Sequence, residues 1–190
     1  MISLIGNRPA LQIGRHQVID YDTAWLDLAL QRAAIAADCE DFPFVEDIRC
    51  GVVKYLETKC SLKLLDLTEL FERVRKMLVK IGCEQIAEKL EPLAPPITVS
   101  LVRSAMEAGN GFELAFYESL RFELRDLRAS GAEEIRFVGL RESSMILRGS
   151  AKWTRDCDAI LMEIQAFLKG WDRDQSVGRR KLKLCVEGDA

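Results

Sequence analysis

Few side chains in this sequence stand in a recognisable catalytic motif. His16 is the only histidine, and acid–base catalysis would need an oriented partner and a nucleophile beside it. The turn around His16 contains neither, so an exposed turn histidine is the simpler interpretation. Ser143, Ser144 and Ser150 lack the G-x-S-x-G context that activates a serine nucleophile. We therefore predict no catalytic residue.

Two segments have the composition of an anion-binding site. Gly109-Asn110-Gly111 precedes a predicted helix, where a glycine-flanked loop can turn backbone amides toward an anion. Because the P-loop lysine is missing, we favour a plain connection between a strand and a helix. The basic run at residues 178–181, followed by Lys183, could contact nucleic acid. Phe137 is the only aromatic residue on the predicted strands, whereas RNA-reading sheets stack bases on several, so we favour a solvated strand edge.

Six cysteines are spread along the chain without a C-x-x-C pair. Structural zinc sites use closely spaced ligand pairs, and the single histidine adds none. Several cysteines stand at apolar positions of helical or strand patterns, which predicts buried free thiols and no metal site. The six cysteines are Cys39, Cys50, Cys60, Cys83, Cys157 and Cys185.

Charge and hydropathy narrow the class of protein. The chain has 190 residues, 27 of them basic and 30 acidic, for a net charge of -3. No overall positive field would therefore collect nucleic acid or an anionic membrane. No apolar run approaches the roughly 20 residues that span a bilayer, and the N-terminal residues lack the order of a signal peptide. We predict a cytoplasmic protein with no membrane contact, and we do not favour a nucleic-acid partner.

The first half combines a short β-rich segment with four helices. Turn residues separate β-favouring runs at residues 2–5, 10–13 and 17–19, which predicts a small hairpin or meander. Helical spacing of apolar residues follows. The predicted helices extend from residue 22 to about residue 36, from Pro43 to residues 58–61, from Asp66 or Thr68 to before Gly82, and over residues 84–90. The stripe predicted to be buried on the first helix is Trp25, Leu28, Ala29, Ala33 and Ala36.

Prolines at residues 92, 95 and 96 predict a domain boundary, because proline ends helices and disfavours helix in the preceding residue. The domains would then be 1–93 and 97–190. In the second half we predict a β-α-β-β-α-β order, the ferredoxin-like arrangement of two helices on a four-stranded antiparallel sheet. The predicted fold class is α+β. The expected elements are a strand at 97–102, a helix with its stripe from Phe112 to Leu127, a hairpin of 135–138 and 145–147, a helix at 157–168 and a strand at 181–186.

A known family matches the order of elements in the first half. The helix opened by Tyr21-Asp22, the sequence LLDLTELFERVRKMLVKIGCEQIAEKL, the turn at Gly82-Cys83 and the Ile86-Ala87 pair carry the likeness. Residues 5–93 resemble an ATP-cone domain, the small regulatory module of ribonucleotide reductases and of their transcriptional repressor. The resemblance implies a mainly helical domain with a small β-hairpin, and ATP or dATP as its ligand.

In the ATP-cone family, a Lys-Arg pair on the first hairpin strand and a lysine early in the next helix hold the phosphates. This sequence has Gln12 on the strand and Trp25 in the helix. Arg8, Arg15 and His16 are nearby cations that could substitute. The resemblance thus implies either a nucleotide site at Gln12, Arg15, His16 and Trp25, or a degenerate cone that keeps the fold without the ligand.

We therefore expect a non-enzymatic regulatory or interaction protein of two domains. ATP or dATP is the candidate ligand, and a homodimer or another protein partner is expected because open sheet edges and helical modules associate readily. Two alternatives stay open: an enzyme with its active site between the domains, and a nucleic-acid binder that uses the basic C-terminal strand. Converging polar residues from both halves would identify the first, and a steep salt dependence of binding the second.

Overall fold

The structure is a computed structural model that describes residues 8–39, 41–174 and 183–186 of the chain. These residues form six strands and eight helices, so the predicted mixture of helix and strand is confirmed. The chain divides into two compact units, Met1–Pro95 and Pro96–Ala190. Among the described residues, no helix has both the length and the apolar character that crossing a membrane requires. The β-favouring run at residues 2–5 lies outside the described residues.

Each unit combines one small three-stranded sheet with four helices. In the first unit the elements are β1 (Ala10–Ile13), β2 (His16–Val18), α1 (Ala24–Ala36), α2 (Val45–Thr58), β3 (Leu64–Asp66), α3 (Leu67–Lys80) and α4 (Glu84–Lys89). In the second they are β4 (Ile97–Ser100), α5 (Leu101–Ala108), α6 (Glu113–Ala129), β5 (Glu134–Val138), α7 (Leu140–Arg148), α8 (Arg155–Asp174) and β6 (Lys183–Val186).

The sheet of the first unit is centred on β1. It pairs antiparallel with β2, which confirms the predicted hairpin, and parallel with β3. β3 was not predicted, because it has three residues and its first side chain, Leu64, is 42% exposed. Neither length nor alternation marks such a segment as a strand. Leu11, Ile13 and Leu65 are fully buried and anchor the sheet to the helices.

The four predicted helices of the first unit are confirmed. α3 begins after Asp66, whose carboxylate accepts hydrogen bonds from the backbone N–H groups of Thr68 and Glu69, as an N-cap residue should. On α1 the predicted stripe is partly wrong, since Leu28 and Ala36 are exposed. α1 packs against both α2 and α4, so it buries two adjacent rows of side chains instead of one. These rows are Trp25, Leu26, Ala29, Leu30, Ala33 and Ala34.

The topology of the second unit corrects the ferredoxin-like prediction. β4, β5 and β6 lie in that order and pair in parallel, with Val99 opposite Phe137 and Phe137 opposite Val186. Parallel neighbours need a long crossover, because the chain must return to the starting edge before the next strand. Here each crossover consists of two helices, so the order is β-α-α-β-α-α-β and the antiparallel hairpin is wrong.

Two helices that the sequence analysis missed explain this difference. The predicted strand at 97–102 ends at Ser100, and α5 begins at the next residue. The predicted strand at 145–147 belongs to α7. Both helices are short, and both bury serine or alanine beside leucine, so an apolar stripe does not mark them. The buried residues are Leu101, Ser104 and Ala105 on α5, and Leu140, Ser143, Ser144 and Leu147 on α7.

The two long helices of the second unit are as predicted. On α6 the side chains of Phe116, Leu120, Leu124 and Leu127 are fully buried. The predicted stripe is wrong at Phe112, which precedes the helix as its N-cap residue and is 64% exposed. α8 buries Cys157, Ile160, Ile164 and Leu168, as its helical spacing predicts.

Gly139 permits α5 to pack closely against the turn between β5 and α7. It lies between β5 and α7 with a φ of 79°, and a Cβ atom there would lie 2.6 Å from Cγ2 of Val102 on α5. α5 and α7 each begin directly after a parallel strand, so they start at the same edge of the sheet. Glycine is required at this position for two reasons, backbone conformation and space.

We expect Gly139→Ala to destabilise the second unit by about 2–3 kcal/mol in urea denaturation, because strain at positive φ adds to overpacking against Val102. The control is Gly111→Ala, where φ is 77° but no atom lies within 4 Å of the new Cβ. That variant should lose only the strain contribution, about 1 kcal/mol. The double variant Val102→Ala, Gly139→Ala should recover the difference in stability between Gly139→Ala and Gly111→Ala. Equal losses for Gly139→Ala and Gly111→Ala would mean that steric contact with Val102 is unimportant.

Candidate functional site

The hairpin of the first unit carries three of the four residues predicted to bind a nucleotide. Gln12 lies on β1 between the fully buried Leu11 and Ile13, and its side-chain amide donates a hydrogen bond to the Gly14 carbonyl. Gly14 has a φ of 56°, which lets the hairpin turn tightly. β1 therefore presents one polar side chain, and that side chain already closes the turn.

Arg15 and His16 follow directly in the turn and at the start of β2. Arg15 is exposed, while His16 is partly buried opposite Ile13. Arg15 and His16 both take part in further interactions within the chain. The hairpin thus brings Gln12, Arg15 and His16 to one end of the sheet, with two basic residues beside one amide.

Trp25 has a different environment from these three residues. It is 5% exposed, and its indole N–H donates a 2.8 Å hydrogen bond to the carbonyl oxygen of Asp22. Its ring lies 6.0 Å from that of Phe71 on α3 and 6.4 Å from that of Tyr21. The indole is therefore a core residue that joins α1 to α3, and its polar atom is already paired.

Two arginines near this region are held in ion pairs, which sequence reasoning did not find. Arg8 Nη2 lies 2.8 Å from a carboxylate oxygen of Glu57 on α2. Arg49 Nε, also on α2, lies 3.0 Å from Asp27 on α1. All four side chains are partly buried, so these pairs are screened less than surface pairs are. The residues of each pair are 49 and 22 positions apart, and no sequence periodicity signals such a contact.

Tyr21 ties the segment before β1 to the start of α1. Its hydroxyl donates a 2.9 Å hydrogen bond to the Pro9 carbonyl, and the side chain is buried. Burial raises the pKa of Tyr21 to about 12, with smaller contributions from Cys60 and Glu57, while Arg8 acts in the opposite direction. The phenol is therefore neutral at physiological pH and serves as a structural hydrogen-bond donor.

In the second unit, Gly109-Asn110-Gly111 connects two helices, α5 and α6, and not a strand to a helix as predicted. The N–H of Gly111 donates to the carbonyl oxygen of Leu147 near the end of α7, at 3.1 Å. The Asn110 side chain lies where a Cβ on Gly149 would be, within 2.3 Å. This loop therefore closes the C-terminal end of α7, and one of its amides is already paired with a carbonyl group.

Ser143 and Ser144 are fully buried on α7. Their hydroxyls donate to the carbonyl oxygens of Gly139, at 2.6 Å, and Leu140, at 2.9 Å. Each bond spans four residues back along the helix, the usual way in which helical serines satisfy their hydroxyls. Both serines are thus small buried residues whose hydroxyls are satisfied within α7.

Tyr117 on α6 presents the opposite case to Tyr21. Its hydroxyl oxygen is buried and has no hydrogen-bond partner among the described residues. Burial, and then Glu163 and Glu113, raise the pKa of Tyr117 to about 12. Its ring packs 5.3 Å from that of Phe116 and 5.1 Å from that of Phe167 on α8. The side chain lines a shallow cavity of about 330 Å³ between α6 and α8, beside Leu114, which is 83% exposed.

The remaining predictions concern thiols, metal ligands and the basic strand. All six cysteines are free, but only Cys157 is buried and Cys50 is exposed, so the prediction of buried thiols is wrong for most of them. In the described part of the chain, no cluster of three or more His, Cys, Asp or Glu side chains could hold a metal ion. The basic run at 178–181 lies outside the described residues, and Lys183 on β6 lies 3.6 Å from the carboxylate of Glu134 on β5.

Comparison with known proteins adds no further assignment. No protein-family model matches the chain, and no curated protein and no solved structure matches it significantly.

The two buried tyrosines should respond in opposite ways to loss of the hydroxyl. Tyr21→Phe removes a hydrogen bond and should lower the free energy of unfolding of the first unit by about 1 kcal/mol. Tyr117→Phe removes a buried hydroxyl without a partner and should raise the stability of the second unit by up to about 1 kcal/mol. Urea denaturation of both variants tests this. If Tyr117→Phe is as destabilising as Tyr21→Phe, the Tyr117 hydroxyl is hydrogen-bonded in solution.

Stability should also fall at alkaline pH. Because the folded pKa of Tyr21 is about 12 and the ordinary value is 10.0, the folded unit keeps a proton that the unfolded chain loses. The resulting stabilisation is complete below about pH 10 and is lost as pH rises toward 12, by at most about 1.4 kcal/mol per pH unit. Urea denaturation of the wild type across this range should show the fall, and Tyr21→Phe should make it shallower, leaving the part that Tyr117 contributes through its own raised pKa. An unchanged slope in that variant would contradict the assignment.

Proposed function

We propose that this protein is a non-enzymatic regulatory or interaction protein whose first unit is a cone-like module without a working polyphosphate site. The order of elements in that unit, a hairpin, two helices, a short strand and two further helices, supports the resemblance to the ATP-cone domain. The mainly helical composition with one small sheet is what that resemblance implies.

One observation carries the second part of the proposal. Trp25 stands where the resemblance implies a phosphate-binding lysine, and its indole is buried against Phe71 with its N–H bonded to Asp22. A triphosphate needs several converging cations or backbone amides to offset its charge. A neutral, buried ring cannot supply one, and β1 contributes only the amide of Gln12.

The ion pairs of the first unit support the same proposal. Arg8 is paired with Glu57 and Arg49 with Asp27, so a polyphosphate would have to displace a carboxylate to reach either guanidinium. Arg15 and His16 are the remaining basic residues of the hairpin. Two such groups on one turn make a weak electrostatic site, because exposed charge pairs contribute little in water.

A role in interaction is supported by the surface of the second unit. Large apolar side chains are exposed on α6 and α8, among them Leu114 and Met162. Exposed apolar side chains that form a contiguous patch are typical of surfaces that contact another protein. We expect the partner to be a second copy of this chain or another protein.

The test is thermal unfolding of the full chain with ATP, dATP, ADP or GTP, each with and without magnesium. We expect no nucleotide to raise the melting temperature by more than inorganic tripolyphosphate does at the same concentration. A ligand at about a hundred times its dissociation constant would stabilise the folded state by about 2.7 kcal/mol, which is a shift of several degrees.

Arg15→Ala provides the control for a positive result. A rise specific to adenine nucleotides that disappears in Arg15→Ala would overturn the proposal and assign nucleotide sensing to the hairpin. A rise that persists in Arg15→Ala, and that tripolyphosphate reproduces, would be non-specific anion binding and would leave the proposal standing.

A further inference from the structure

A groove lies between α2 and α3 of the first unit. α1 packs against α2 and α4, and α4 packs against α3, which leaves a groove where α2 and α3 face each other. Its volume is about 450 Å³, within the range of about 300–1,000 Å³ that is typical of small-molecule sites. The groove is lined by Gly51, Val52, Tyr55, Leu70, Arg73, Val74, Lys76, Met77 and Lys80.

The floor of this α2–α3 groove is apolar. Val52, Leu70 and Val74 are buried beneath it, and the partly buried Met77 forms part of its wall. Gly51 keeps the groove open on the α2 side, since it is an exposed glycine inside a helix and no atom lies within 4 Å of a Cβ built there. Glycine weakens a helix, and packing does not require it at this position. A larger side chain at residue 51 would enter the groove without a clash.

The rim of the groove is basic. Arg73 is paired with Glu69 and donates to the Tyr55 hydroxyl, so it joins α3 to α2 across the groove while its charge is neutralised. Lys76 and Lys80 have no such partner: in the described part of the chain, no carboxylate lies within ion-pair distance of either. The lining contains no acidic residue. Two lysines therefore line an apolar groove, and neither forms an ion pair with a described residue.

We infer that this groove binds a small amphipathic anion, a molecule with one hydrocarbon or aromatic body and one carboxylate or sulfonate head. The body would lie on Val52, Leu70 and Val74, where it leaves water, and the head would lie at Lys76 and Lys80. A nucleotide fits less well, because its polar base and several charges would face an apolar floor. This inference does not depend on the proposed function.

Binding is measured on the full chain with three compounds. Anilinonaphthalene sulfonate reports by fluorescence, and dodecanoate is titrated as its competitor. The matched probe dodecyltrimethylammonium has the same alkyl chain and the opposite charge. We expect dodecanoate to displace the dye and dodecyltrimethylammonium to bind at least about tenfold more weakly, a difference equivalent to about 1.4 kcal/mol.

Two variants fill the groove. Gly51→Leu and Met77→Trp should each weaken dodecanoate binding at least about tenfold, while circular dichroism shows the helices intact. If one of them fails to fold, the other still tests the inference. Gly170→Leu is the matched control, because Gly170 is also a helical glycine with no atom within 4 Å, and it should bind as the wild type does.

A charge variant separates the rim from the floor. The pair Lys76→Gln and Lys80→Gln should weaken dodecanoate about tenfold and leave dodecyltrimethylammonium unchanged or stronger. The control pair Lys63→Gln and Lys89→Gln changes the net charge equally at exposed positions outside the groove. Equal losses in both pairs would mean a general charge effect and would overturn the inference.

Two other results would also overturn it. Unchanged dodecanoate affinity in Gly51→Leu would mean that the probe binds elsewhere. Sedimentation velocity that shows a wild-type dimer and a Gly51→Leu monomer would mean that a second copy of the chain occupies the groove.

Discussion

The first unit depends on the burial of Trp25. Its ring contacts Tyr21 and Phe71, so one side chain joins the segment before α1, α1 itself and α3. Tyr21 extends the connection to the start of β1 through its bond to Pro9. Burial of large aromatic rings supplies much of the stabilisation of small domains. The same residue that holds this unit together therefore occupies the place where the ATP-cone resemblance implies a cation.

The second unit depends on a different constraint, the parallel pairing of its strands. A parallel sheet requires the chain to return to the same edge, and here each return uses two helices, which must share limited space. α5 and α7 pack against each other, and both bury small side chains, among them Ser104, Ala105, Ser143 and Ser144. The two buried hydroxyls of α7 are satisfied within their own helix, so this close packing leaves none of them without a partner.

The candidate binding surfaces of this protein are those that the packing of each unit leaves exposed. In the first unit, core residues and ion pairs account for most polar groups near the hairpin, whereas the side between α2 and α3 is open and has basic side chains at its rim. In the second unit, the glycine loop and the serines have structural roles, and α6 and α8 expose apolar side chains. Each unit therefore exposes apolar side chains at its surface, and the buried serines of the second unit serve its packing.

The sequence by itself determined the long helices, the hairpin and the cap at Asp66, because these depend on spacing and on local hydrogen bonds. It did not determine the parallel sheet. β4 alternates buried Ile97 and Val99 with exposed residues, a pattern typical of antiparallel sheets, and pairing direction depends on the path of the chain between strands. The short helices α5 and α7 and the role of Trp25 were decided only by tertiary structure. Serine and tryptophan take either a polar or a packing role, and the neighbours that decide between them are distant in sequence.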